Sequence, residues 1–314
     1  MRAATLLDSV SPYGSRRVTV EFDGAVTTAY LRDATTVIAA AHLADHARFD
    51  PGALRAVWFE EGDGAALLER DALLAILPDR PGRDIHRVER AMEFWRWRES
   101  PGGWGRFQAA VLSHLSARLG PGAHYWDGSR GQHPLIGISE RPPAPGRPGT
   151  VLSTVGMSAQ RMPVVEQVLD DPRDYARVEL ALATTIPPGV AALTFLWLAA
   201  YPWRAVTWFG PGHSVRWYDR PDTFPLGQGY QGVLLLDDVS ELRGPAPPDL
   251  SGFGVGDDRV RWLWIIPITE RSRLIARDHG SARLVRELAA EGRSWIVSPP
   301  SPPGPLSPPG PLSS

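Results

Sequence analysis

The hydrophobic positions of the chain gather most densely between Leu193 and Tyr218, LTFLWLAAYPWRAVTWFGPGHSVRWY. Phe195, Leu196, Leu198 and Ala199 recur at helical spacing and predict a buried stripe. Pro202 should end that helix, because the residue before a proline is driven out of the helical region. Beyond it Trp208, Phe209, His213, Val215, Trp217 and Tyr218 favour extended chain, and Gly210-Pro211-Gly212 bends the backbone between them.

Other stretches show their own periods. VTVEFDGAVTTAYL alternates on both sides of Asp23-Gly24 and predicts a β-hairpin with a two-residue turn there. ATTVIAAAHLADHARF is Ala-rich and predicts a short helix capped by Thr35 or Thr36. RAVWFEEGDGAALLERDALLAILP predicts a strand, a Gly-Asp-Gly turn and a further strand or helix. Residues 84–99 carry a charged helical pattern with an aromatic end. Trp104, Phe107, Val111, Leu112, Leu115 and Leu119 then keep to one helical face, which Gly120-Pro121 closes. Extended segments follow in PLIGISERP, TVLSTVGMS, RVELALATTIP, GVLLLDD and RVRWLWIIPIT. Two short helices, ERSRLIARDH and ARLVRELAAEG, follow in turn, with Thr269 and Ser281 as expected N-caps.

Several strands around one long helix predict an α+β fold, a mostly antiparallel sheet packed with helices. The composition shifts divide the chain into a small α+β unit at 1–80, a linker with a charged helix at 81–103, a main domain at 104–297 and a Pro-rich tail at 298–314. The tail, with SPPGPL repeated, favours polyproline II over any core.

Composition narrows the chemistry. Of 314 residues 43% are hydrophobic, enough for a sizeable core, and the net charge is −2 with every one of the 33 basic side chains an arginine. The charges are spread along the length, so no one-sided basic surface for nucleic acid is expected. The chain has no cysteine, which removes thiolate catalysis, disulfides and Cys-ligated metals. The first residues lack a secretory apolar core and no run approaches the roughly 20 residues of a membrane span, so a soluble, cytoplasmic protein is expected.

The short motifs fail on context. His42 and His46 lie four apart, a zinc-compatible spacing on a helix, but no third ligand or adjacent glutamate accompanies them, so they read as ordinary histidines. Gly227 to Gly232, GQGYQG, matches a dinucleotide string yet runs into a strand instead of a helix, so it reads as a turn. Ser158 and Ser214 lack the second glycine of a nucleophile elbow. The adjacent pairs Asp170-Asp171, Asp237-Asp238 and Asp257-Asp258 would point to opposite faces of a strand. No cofactor and no metal are expected. Twelve tryptophans, many beside arginines, suit both core packing and an interface.

Four stretches in order carry a resemblance: LIGISERPPAPGRPGTVLSTVGMSAQRMP, RVELALATTIP, FLWLAAYPWRAVTWFGPGHSV and VRWLWIIPITERSRLIARDHGSARLVREL, with GVLLLDD between the last two. Together they resemble the Suppressor of fused (Sufu-like) domain family over roughly Trp104 to Val297, and their form is similar to the bacterial type. Residues 1–80 and the tail have no counterpart in that pattern. The resemblance implies a non-catalytic protein-binding domain. Its animal member is a repressor that clasps a short peptide of Gli transcription factors between two lobes, and its bacterial members look like immunity proteins of toxin systems. It thus points to a protein partner, such as a toxin domain, and to strand edges near Thr154 to Ser158 and Gly212 to Arg216 where a partner strand could add. Thr154, Gly156, Met157, Ser158, Trp203, Gly212, His213 and Trp217 are the candidate partner-binding residues. The rival readings are an enzyme whose site is assembled from scattered residues such as His213, Glu179 and Asp237, and an adaptor acting through the Pro-rich tail.

Overall fold

The computed structural model describes residues 3–10, 16–33, 36–43, 56–58, 65–69, 72–77, 97, 100–129, 135–162, 165–169, 171–204 and 207–299. Its fold is α+β. Strands β1 (Ala4–Val10), β2 (Arg16–Phe22), β3 (Thr27–Asp33) and β4 (Thr36–Leu43) form an antiparallel sheet in chain order. Strands β5 (Ala56–Trp58), β6 (Ala65–Glu69) and β7 (Ala72–Leu77) form a second one.

Two expectations fail here. The hairpin between β2 and β3 exists, but Phe22 pairs with Thr27, so the loop has four residues. The Asp23 carboxylate accepts from the N–H groups of Ala25 and Val26, at 2.9 Å each, and holds this wider loop in place of the two-residue turn. The described part of the Ala-rich segment is a strand, not a helix: β4 pairs with β3, and His42 stands level with Thr28. Alanine's helix propensity is a weak prior that ladder pairing overrides. His46, the Gly62–Gly64 turn, residues 84–96 of the charged segment and residues 300–314 of the tail lie outside the described residues.

The main domain is built on a nine-stranded sheet. Its strands are β8 (Tyr125–Asp127), β9 (Gly137–Arg141), β10 (Thr150–Val155), β11 (Arg177–Thr184), β12 (Ser214–Arg216), β13 (Gly232–Leu236), β14 (Gly254–Val255), β15 (Asp258–Ile268) and β16 (Ile296–Val297). The spatial order is β12-β13-β15-β11-β10-β9-β8, with β14 on β15 and β16 on β11. Most pairs are antiparallel, but β11 runs parallel to both β15 and β16 at the centre.

The central strands are apolar on both faces, as strands covered by helices on two sides must be. In β13, Val233 and Leu235 face one layer and Leu234 and Leu236 the other. In β11, Val178, Leu180 and Leu182 oppose Ala181 and Ala183. Helix α1 (Gly103–Leu119) covers the second face with Val111, Leu115 and Leu119. Helix α2 (Pro188–Leu198) covers the first with Ala191, Phe195 and Leu198. Helices α3 (Glu270–His279) and α4 (Ser281–Ala290) close the second face, where Leu284, Val285 and Leu288 are buried.

Helix α2 is apolar all round, and its stripe differs in detail from the expected one. Phe195, Leu198 and Ala199 are buried, whereas Leu196 stands 100° round the helix and is exposed with Val190 and Leu193. The helix ends at Leu198, before Pro202, and Tyr201–Arg204 forms a separate turn of helix in which Pro202 takes the second position, where a missing N–H costs nothing. The segment after it is irregular from Thr207 to His213 and becomes a strand only at Ser214. Thr269 caps α3 as expected, accepting from Ser272 N at 3.1 Å. Ser281 is instead the first residue of α4, and Gly280 holds the cap position.

Candidate functional site

Two places concentrate the candidate residues, and they differ in kind. The first is the end of β10. Thr154 and Ser158 are buried, as is Met157, and β10 lies between β9 and β11. This segment is therefore interior, not the free edge that its polar residues suggested. Its organiser is Glu179 of β11, which is fully buried. One carboxylate oxygen accepts from Thr154 Oγ1 at 2.6 Å. The other accepts from Gly156 N at 2.9 Å, Ser158 N at 3.0 Å and Ser158 Oγ at 2.6 Å. Thr154 Oγ1 in turn accepts from Leu180 N at 2.7 Å, where the ladder between β10 and β11 has parted. Gly156 is required: its φ of 132° is outside the range of other residues, and a Cβ there would strike the Leu135 carbonyl. Burial pushes the Glu179 carboxyl up, against the pull of its four donors.

A second buried group extends this cluster. Asp258, 3% exposed, accepts from Arg161 Nη2 at 2.6 Å and Nε at 2.7 Å, and from Arg177 Nε at 2.8 Å. Arg177 Nη1 also donates to the carbonyls of Ser158 and Ala159, at 2.9 and 2.8 Å. Burial alone would raise the Asp258 carboxyl, but the two guanidiniums outweigh it and hold the carboxyl low. Both carboxylates of this cluster are engaged within the domain, so it is fitted to hold shape. Glu179 also does not meet His213, because β13 and β15 lie between β11 and β12.

The second place is β12, the sheet's terminal strand. His213, Val215 and Trp217 face β13: Leu235 N donates to His213 O at 2.8 Å and Trp217 N to Gln231 O at 2.8 Å. In an antiparallel ladder the alternate residues turn their N–H and C=O outward. Those residues are Ser214 and Arg216, and no described strand pairs with them. The edge is accordingly an open template of donors and acceptors.

A groove of about 410 Å³ runs along this edge. Tyr201, Thr207, Trp208 and Phe209 form one wall, on the face of the sheet that α2 covers. Arg273, Ala276 and Arg277 of α3 form the other. The Trp208 ring meets His213 edge-on at 4.6 Å, and the Gly210 N–H points to His213 Nδ1 at 3.3 Å. Burial pushes this imidazole below its ordinary value, only partly offset by a backbone hydrogen bond at Trp208. Gly212, with φ of 83°, brings the loop against Ser281, and a Cβ would collide with that side chain. Trp217 packs edge-on against Trp197 at 4.9 Å, while its neighbour Tyr218 is 77% exposed with the Arg216 guanidinium over its ring at 5.7 Å.

The expectations for site residues thus divide. Gly212, His213 and Trp217 sit at or beside the open edge. Thr154, Gly156, Met157 and Ser158 sit four strands away in the interior, so the expected adjacency of the two segments fails. Trp203, 5% exposed, is packed in the core. Tyr201, Trp208, Tyr218, Arg273 and Arg277 were not among the candidates, and Arg216 entered as the end of the expected edge segment. Their signal in the sequence was an Arg pair at i, i+4 on a helix following directly on a strand, together with a tyrosine left outside any apolar period.

A larger cleft of about 810 Å³ lies on the far side of β15, with an acidic rim. Three of its carboxylates are held in ion pairs: Asp237 with Arg261, Asp174 with Arg259 and Asp249 with Arg118. Among the described residues no group of three His, Asp or Glu side chains could hold a metal, and no helix is long and apolar enough to cross a membrane.

With this geometry in view, the comparisons with known proteins decide the family. The family described as Suppressor of fused protein (SUFU) matches residues 131–300. The chain belongs to the Suppressor of fused family. The match spans β9 to β16 and so includes both the buried Glu179 cluster and the open β12 edge. No curated protein matches the chain. Among solved structures, a Suppressor of fused homologue from Neisseria gonorrhoeae FA 1090 is 18% identical, with a TM-score of 0.42 over 61% of this chain and 93% of its own. A crystallised Sufu-Fu complex is 16% identical, with a TM-score of 0.44 over 62% of this chain and 89% of that one. Drosophila Suppressor of Fused is 15% identical, with a TM-score of 0.38 over 60% of this chain and 48% of its own.

Proposed function

We propose that this Suppressor of fused chain is a protein-binding module, without chemistry of its own, that captures an extended segment of a protein partner by adding it as a strand to β12. The observation that carries this is the outward-facing backbone of Ser214 and Arg216, set in a groove walled on both faces of the sheet. Main-chain pairing would supply affinity, and the two walls would select side chains. A toxin domain is the partner class that the resemblance suggests, which makes the module an immunity protein acting by sequestration.

Ser214→Pro tests this reading. The proline removes an N–H that makes no bond to β13 and puts a ring where the partner backbone must approach. Edge strands tolerate proline on that side. Capture from the source cells with the full chain and with this variant should retain a partner that the variant loses. A loss of one hydrogen bond and a steric block implies about tenfold weaker binding or more. Equal retention by both, with unchanged thermal melts, refutes strand addition.

A further inference from the structure

We infer that the segment held along β12 carries the pattern acid–apolar–acid over three consecutive residues; this rests on the strand-addition reading. Residues standing level on paired strands share a face of the sheet, and successive residues alternate between faces. A partner residue level with Val215 would therefore point to the same side as Val215, into the wall of Tyr201, Thr207 and Trp208, which is apolar and aromatic. Its two neighbours, level with Ser214 and Arg216, would point to the opposite side, where α3 supplies the wall.

That second wall is cationic and under-supplied with acceptors. Arg216 is 47% exposed. Its nearest carboxylate, Glu270, is 3.8 Å away and already holds Arg273 through two bonds of 2.7 and 2.9 Å. Arg277, 60% exposed, is hydrogen-bonded to its sequence neighbour Asp278, an exposed pair of the kind that contributes little. The direction of α3 places the two cations in turn. It starts with Glu270 beside Arg216 and leads to Ser281 against Gly212, so Arg277 stands toward the Ser214 end. A carboxylate level with Arg216 reaches that guanidinium, and one level with Ser214 reaches Arg277. Residues 300–314 of this chain contain no acidic side chain, so they lack the pattern of acidic residues that this wall selects.

The probes are three capped ten-residue peptides, labelled and titrated against the full chain by fluorescence anisotropy: valine alternating with glutamate, with glutamine and with lysine. The glutamate peptide should bind best. Two cross-strand charge pairs make the glutamine peptide about 2- to 30-fold weaker, and the gap should close in added salt. The lysine peptide should bind weakest. Arg216→Gln with Arg277→Gln, both exposed positions, should bring the glutamate and glutamine peptides level, and Ser214→Pro should weaken both. Equal binding of all three peptides that Ser214→Pro still abolishes would overturn the acidic pattern and leave strand addition standing. Binding that Ser214→Pro does not touch, or no binding by any peptide, overturns both. A dimer of the chain that Ser214→Pro dissolves puts a second copy on the edge and overturns the inference as well.

Discussion

Replacing Glu179 separates its role in holding the fold from any role in binding. Glu179→Leu keeps the approximate volume of the side chain and removes both acceptor oxygens. The hydroxyls of Thr154 and Ser158 can turn to other acceptors, but the N–H groups of Gly156 and Ser158 are fixed and lose their partner. A buried unsatisfied donor costs about 1–3 kcal/mol, so the two together cost roughly 2–6 kcal/mol. At about 2–4 °C per kcal/mol for a unit of this size, the melting temperature should fall by on the order of 10 °C. Glu179→Gln can still accept from the same N–H groups through its amide oxygen and misplaces only the bond to Thr154, so it should cost about 1–3 kcal/mol. Thermal melts and urea titrations of both variants, read by far-ultraviolet circular dichroism, measure the difference. The pH dependence adds a second reading. Because burial raises the Glu179 carboxyl, the folded chain holds its proton more tightly than the unfolded chain does. The stability from this group is whole below the unfolded value of about 4.3 and is lost as pH climbs through the folded value. Glu179→Gln should flatten that decline. A leucine variant within about 1 kcal/mol of the parent, or a glutamine variant as damaged as the leucine one, would refute the reasoning.

Two further outcomes follow from the same packing. Trp203→Ala should cost about 3–5 kcal/mol by urea titration, since the ring is core and leaves a cavity, and it should not alter peptide binding in the variant that remains folded. Asp258→Asn should remove an acid-sensitive contribution: the Asp258 carboxyl is held low, so its stability is present above the unfolded value of about 3.9 and is lost as pH falls through the folded one. Stability curves of parent and variant should converge at low pH.

The parts of the fold legible in the sequence were those where local pattern and tertiary setting agree. GVLLL and RVRWLWIIPI read as buried strands because continuous apolar runs bounded by turns suit a sheet covered on both faces. The helix of Trp104 to Leu119 was equally plain from its spacing and its glycine stop. Order within the sheet was not legible, because side-chain period says which face a residue takes and nothing of which strand lies beside it. That is why Thr154 and Ser158 looked like edge residues. The sequence did hold a warning: Glu179 is the one charge within VELALAT, and a carboxylate in a doubly covered strand needs buried donors, which the nearby Thr, Ser and Gly provide. Residues 36–43 were misread for the opposite reason, since alanine favours helix locally and only the pairing with β3 makes it strand. The β12 edge was half legible. Gly212 and His213 marked the bend, but the arginine wall comes from α3, more than fifty residues on, which only the fold brings near.

The parallel pairing at the centre of the sheet has a consequence for synthesis. β11 finds one parallel neighbour in β15, where Arg177 stands level with Val260, and another in β16, where Thr184 Oγ1 donates to Val297 O across a separation of 113 residues. Contacts between such distant segments carry a loop-closure cost before any return and slow folding. A nascent chain leaving the ribosome therefore exposes β11 with one side unzipped until β15 arrives, and with its end at Ala183 and Thr184 open until β16 does. The edge that receives a partner is completed late as well, because β12 reaches β11 through β13 and β15 and its second wall waits for α3.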